Sequence, residues 1–326
     1  MLIRDLTDGD QIDCVLLVRE LETRSKRDGS EYLRVVFADR SGQLAAMMWD
    51  DIGDARELLA LGEPVHVAGR YALHPRYGPQ LNVRALGRAL EGSFAYDDLV
   101  VASPHDAAQM EADLRDLIAT IQSQHIRVLL DRLLGEQSSL WQHYRIAPAA
   151  KYYHQAYRHG LLEHCLSVAE AVSAMSATFP GIDRDVAVAG ALLHDIGKLD
   201  AYETVGPSIE MTDEGRLHGE IALGHYRVRA TIEQIPEFPA QTAAALTHII
   251  LSHHGSLEHG SPVVPCTREA TLVHMADNLG GRLGSFDRLE SELRAGESWS
   301  AFDRAIGSGA YFGHREEPRA PQRQVA

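Results

Sequence analysis

Five separated helical segments in the second half of the chain each carry an imidazole or a carboxylate on an otherwise apolar face. No other feature limits so strongly what the chain can become. Ala191-Leu192-Leu193-His194-Asp195-Ile196-Gly197-Lys198 sets a His and an Asp side by side where an apolar run ends. His164 shares a helical face with Leu161 and Val168, and His225 lies beside Ile221 and Val228. Leu251-Ser252-His253-His254-Gly255 closes a helix read over 242–255, and Asp277 falls on the face of Val273 and Gly280 in a helix read over 268–283. A buried imidazole or carboxylate is costly unless it is paired or bound to metal. One such residue would be an ordinary hydrogen-bonded core group. The same pattern on five segments points to a shared ligand.

Imidazole and carboxylate donors without thiolate suit Mn²⁺, Fe²⁺ or Zn²⁺. Adjacent His194 and Asp195 can face one ion together, and a carboxylate can bridge to a second ion about 3.5–4 Å away. The reading assigns one ion to His164, His194, Asp195 and Asp277. A second ion takes bridging Asp195 with His225 and His253, and His254 is either a further ligand or a substrate contact. A water shared by two such ions loses its proton near neutral pH and attacks phosphorus. Lys198 then holds a phosphate oxygen, so Asp195, Lys198 and His254 form the catalytic set. His218, His248 and His274 read as surface or core residues, while His154 and His159 stand ahead of the first ligand helix, where they could line a pocket mouth.

Residues 1–95 read differently. Short apolar runs alternate with turn signals: Asp28-Gly29 before Tyr32–Ala38, then Asp39-Arg40-Ser41-Gly42 before Gln43–Trp49. A short helix at 54–59 precedes two more strands, at 64–71 and 79–86. Three strands, a helix and two strands suit an all-β barrel of the OB type, which commonly binds single strands through aromatic and basic side chains. Tyr32, Arg34, Trp49, Arg70, Tyr71, Arg76 and Tyr77 are the candidates, although Trp49 and Tyr71 could equally pack the barrel. Residues 96–145 carry two amphipathic runs, Leu114 to Ile121 and Ile126 to Leu134, and read as a helical connector whose apolar faces dock on the second domain. The chain thus divides into a barrel at 1–95, a connector at 96–145, an all-α bundle at 146–315 and a polar, disordered tail at 316–326.

A net charge of −15 excludes a globally basic nucleic-acid binder. Cys14, Cys165 and Cys266 form no Cys-x-x-Cys pair, which argues against a zinc ribbon or a disulfide framework. No apolar run approaches the roughly 20 residues needed to span a bilayer, and no signal core opens the chain, so the expected location is the cytoplasm, away from membrane.

His164, His194-Asp195, His225, His253 and Asp277 together resemble the HD superfamily of metal phosphohydrolases over about 150–315. Ala149-Ala150-Lys151 with His154, Gly160-Leu161-Leu162-Glu163-His164, Gly224-His225, Ile250–Gly255, Gly260-Ser261-Pro262 and Leu272–Asn278 are similar to the YhaM-type 3′–5′ exoribonucleases, which join an OB domain to an HD domain. Met275-Ala276-Asp277 stands where that family often has an aromatic-Ile-Asp, a departure that leaves the ligand intact. The resemblance implies a homo-oligomeric, Mn²⁺-dependent exonuclease releasing nucleotides from the 3′ end of single-stranded RNA, with DNA open as a further substrate. The alternatives are an HD hydrolase of a small nucleotide, a non-catalytic single-strand-binding protein that holds metal for structure, and a di-iron oxygenase. The acidic charge fits a narrow nucleic-acid track or a short oligonucleotide substrate.

Overall fold

The computed structural model describes residues 2–26, 28–49, 52–74, 78–90, 92–95, 98–99, 103, 105–150, 155, 157–205, 208–293, 296–304 and 306–313. Arg76, Tyr77, His154, Pro104 and the tail 316–326 lie outside them.

Strands β1 (Gln11–Ser25), β2 (Glu31–Asp39) and β3 (Gly42–Met48), helix α1 (Ile52–Leu58), and strands β4 (Pro64–His74) and β5 (Gly78–Arg88) build the N-terminal half. The strands close into a barrel in the order β1-β2-β3-β5-β4, with β3 and β5 parallel and the other neighbours antiparallel. This is the OB arrangement expected from the strand-and-turn pattern. The β2–β3 hairpin is tight because the Asp39 carboxylate accepts from Ser41 N at 2.7 Å and Gly42 N at 3.1 Å. Its second oxygen accepts from Ile3 N at 2.6 Å, which ties the chain start to the turn. Period-two alternation puts Val18, Val35, Phe37, Ala46 and Val67 fully inside.

The second half is helical: α2 (Ala107–Ala119), α3 (Gln124–Leu134), α4 (Trp141–Ile146), α5 (Gly160–Ser176), α6 (Arg184–Leu193) and α7 (Lys198–Ala201) come first. A two-stranded antiparallel sheet, β6 (Tyr202–Val205) with β7 (Ser208–Met211), interrupts the helices. Then come α8 (Asp213–His218), α9 (Glu220–Glu233), α10 (Ala240–Ser252) and α11 (Arg268–Glu292). The hairpin is absent from the sequence reading, because its strands are four residues each and too short to show alternation.

One hydrophobic core runs through these helices, from Leu114 and Leu129 through Tyr144, Leu162 and Leu192 to Ile249 and Val273. The amphipathic faces of α2 and α3 lie in this core. Helix α6 is its axis: Val186 to Leu193 are all buried, as a helix apolar on every side must be. Asp183 starts α6 by accepting from Val186 N at 3.2 Å. Among the described residues, no helix is long and apolar enough to cross a membrane.

Candidate metal centre

Helix ends converge at the C-terminus of α6. His194 is the C-cap of α6 and His253 the C-cap of α10, while His164 projects from α5 and Asp277 from α11. The turn after His194 carries Asp195 and then Gly197, where a Cβ would stand 2.0 Å from Glu220 O and 2.4 Å from Gly224 N. Glycine at 197 therefore lets α9 lie directly on the His194-Asp195 turn.

His164 Nε2 is 3.2 Å from His194 Nε2 and 3.1 Å from Asp277 Oδ1. Asp195 Oδ2 lies 3.4 Å from both imidazole nitrogens, and Asp195 Oδ1 lies 3.5 Å from His253 Nε2. His164, His194, Asp195 and His253 are each at most 3% exposed. Asp277, with 19% of its side chain exposed, marks the open side. His164, His194 and Asp277 have ligand atoms all within 4.8 Å of one another and could hold a metal ion.

Hydrogen bonding at the other ring nitrogen decides what each imidazole offers. His194 Nδ1 donates to Ala191 O at 2.7 Å, and His253 Nδ1 donates to Ile250 O at 2.8 Å. His164 Nδ1 donates to Gln155 Oε1 at 3.1 Å. Each Nδ1 thus carries the proton of the neutral ring and each Nε2 presents a lone pair. Three lone pairs and two carboxylates facing one another repel unless a cation lies among them. Among the described residues, Asp195 Oδ1 and His253 Nε2 are buried with no hydrogen-bond partner, which marks the same need on the far side of the cluster. The residues fit a divalent ion with nitrogen and oxygen donors.

Electrostatics agree. Burial raises the Asp195 carboxyl, but Lys198 and then His194 outweigh it and hold it well below the usual carboxylate range. Burial likewise works against charge on Asp277, yet His164 and His194 keep it below that range. On His194, burial lowers the imidazole while Asp195 and Asp277 push it up, with a net upward shift. The pocket therefore draws positive charge.

The sequence reading placed Lys198 on a substrate phosphate; here its Nζ is 2.6 Å from Asp195 Oδ2. His254 lies one residue beyond the cluster, with Nδ1 on His259 O at 2.9 Å and Nε2 3.8 Å from Glu220 Oε1. His225 is half-buried on α9, on the face of buried Ile221 and Val228, and among the described residues it is not part of the His164, His194 and Asp277 group. The Gly224 face of α9 meets the turn and brings Glu220 with it.

Sequence reasoning missed Glu220, Gln155, Tyr157 and Glu163. His274, read as surface or core, is half-buried, and its Nδ1 donates to His253 O at 2.7 Å and so braces the ligand turn. Glu163 had a legible signal, a carboxylate inside the apolar run Gly160–Leu166. His159 turns away from the cluster and bonds Arg145 O at 2.7 Å.

On the barrel, Tyr32 and Trp49 stack with centroids 4.4 Å apart, Lys26 Nζ stands 5.4 Å above the Trp49 ring, and Trp49 is 49% exposed. Arg34 is engaged by Glu20 and Glu22, and Arg70 is exposed. Of the two roles open to Tyr71, the structure shows packing: it shares strand parity with Val65 and Val67 and lies in the barrel core at 8% exposure. The barrel is compatible with nucleic-acid binding.

Residues 161–281 match the HD domain family. The matched segment contains His164, His194, Asp195, His253 and Asp277, so the chain joins an OB-type barrel to a helical HD domain.

Proposed function

We infer that the protein is a metal-dependent phosphohydrolase, a reading that the HD domain and its His/Asp cluster support. We propose that the protein is a 3′–5′ exonuclease acting on single-stranded RNA, with DNA as a second substrate, and that Mn²⁺ is its metal. The observation that carries the reading is the convergence of the His164, His194 and His253 lone pairs on Asp195 and Asp277. His164, His194, Asp195 and Asp277 would hold a divalent ion, whose chemistry would be to acidify a water and to offset charge on a phosphoryl group. The protein's own groups supply the rest. Lys198 keeps Asp195 ionised. His254, lowered by burial and then by His253, is a neutral base at pH 7 beside Glu220 and can take up or return a proton. The exposed Trp49–Tyr32 stack, with Lys26 over it, offers a π-face to an unpaired base.

A second reading, hydrolysis of a short oligonucleotide or small nucleotide, is favoured by one observation. Arg24, Arg34 and Arg56 on the barrel are already paired with Glu22, Glu20 and Glu31, which weakens the pull on a long phosphate backbone. We also propose a homo-oligomer in which a second copy covers Met275, Leu279 and Leu283. These form an exposed apolar row at helical spacing on α11.

The test is incubation of pure protein with Mn²⁺ and a 5′-labelled single strand, RNA and DNA side by side. The reading expects a ladder that shortens from the 3′ end and disappears in Asp195→Ala. Turnover of dinucleotides alone would establish the second reading instead.

A further inference from the structure

His194 and His253 sit at helix C-caps, where carbonyls left over at the helix end accept from their Nδ1 atoms. His164 has no such position. It lies one turn inside α5, where backbone carbonyls are consumed by the helix. Its Nδ1 instead meets a side chain from outside the helix, Gln155 Oε1.

The orientation of that amide is set by a buried carboxylate. Gln155 Nε2 donates to Glu163 Oε1 at 3.1 Å, and Tyr157 Oη donates to both Glu163 oxygens at 2.9 and 3.0 Å. A carboxylate only accepts, so it turns the amide NH₂ toward itself and the amide oxygen toward His164. His164 must then carry its proton on Nδ1. The backbone holds this arrangement at a conformational cost: Gln155 has φ 56° and His159 φ 68°, both left-handed and neither glycine. Gly160 makes room for it, since a Cβ there would stand 2.0 Å from Gln155 O. Gln155 O is pinned in turn by Ala149 N at 3.1 Å.

We infer that Gln155, oriented by Glu163 and Tyr157, is a positioning residue that fixes the tautomer and aim of His164 toward the bound cation. The inference rests on the metal reading of the cluster. Outer partners of this kind change metal affinity by about 10–100-fold.

Two readouts test it. In metal-free protein, ring ¹⁵N shifts of His164 report the tautomer without any ion; wild type should show the Nδ1–H form and Gln155→Leu a mixture. Mn²⁺ titration followed by electron paramagnetic resonance should show Gln155→Leu and Glu163→Gln each weakened about 10–100-fold. The double exchange Gln155→Glu with Glu163→Gln keeps an acceptor on Nδ1 and should recover most of the affinity, which a merely structural role would not do. Unchanged tautomer and affinity in Gln155→Leu, with wild type binding Mn²⁺, would overturn this inference and leave the metal reading standing. A wild type that binds no Mn²⁺ would overturn both, and the two failures are thereby distinguished.

Discussion

His164 Nε2 and His194 Nε2 stand 3.2 Å apart, and each ring has its Nδ1 hydrogen on an oxygen acceptor. Two lone pairs at that separation are an arrangement that only a shared positive charge makes favourable. Replacing either His194 or Asp277 by Asn should weaken Mn²⁺ binding by more than the roughly 10–100-fold that outer partners are worth. Calorimetric titration checks this, and undiminished affinity in both variants would remove the basis of the site.

Asp195 is buried and the side chain of Lys198 is 13% exposed, so removing the lysine leaves a buried charge without compensation. Lys198→Met should destabilise the metal-free protein by about 3–5 kcal/mol. A divalent ion then has more charge to neutralise, so added Mn²⁺ should raise the melting temperature of Lys198→Met further than that of wild type. Equal increments would mean that Asp195 does not face the ion.

Protons and metal compete for the same Nε2 atoms, so apparent Mn²⁺ affinity should fall as pH drops from about 8 to about 6. The sign for His194 in the metal-free chain is opposite. Its folded value is raised, so its contribution to stability is full below about 6.5 and is lost as pH rises through the folded value. Asp195 and Asp277 are depressed, and their contribution fades only in acid, below the usual carboxylate range. Proton NMR titration of His194 without metal should give a midpoint above about 6.5; a midpoint below it would contradict the electrostatic account.

Two aromatic residues of the barrel should part company. Trp49→Ala removes a half-exposed ring and should cost about 1–3 kcal/mol of single-strand affinity with little change in melting temperature. Tyr71→Ala empties part of the core and should cost about 3–5 kcal/mol of stability. Fluorescence anisotropy and thermal melts separate the two, and Trp49→Ala binding RNA as wild type does would detach the barrel surface from nucleic acid.

The barrel was legible because its strands alternate and its turns carry Asp28-Gly29 and Asp39–Gly42, whose side-chain chemistry is local. His164, His194, Asp195 and Asp277 were legible because they interrupt apolar helical faces. Periodicity says which residues share a face but not which face meets a neighbour. The contact between Gly197 and Gly224 decides that for α9, and it turns Glu220 toward His254. Gln155 reaches His164 through a left-handed loop residue, which no periodic pattern encodes. Tyr71 was readable by parity with Val65 and Val67, and its strand position outweighs its residue type.

The central claim is that one cation lies among His164, His194, Asp195 and Asp277, and anomalous diffraction from Mn²⁺-soaked crystals tests it most directly. The account predicts a peak within bonding distance of His164 Nε2, His194 Nε2 and Asp277 Oδ1. A cluster that stays free of metal in Mn²⁺, or a peak bound elsewhere with these imidazoles uninvolved, would contradict it.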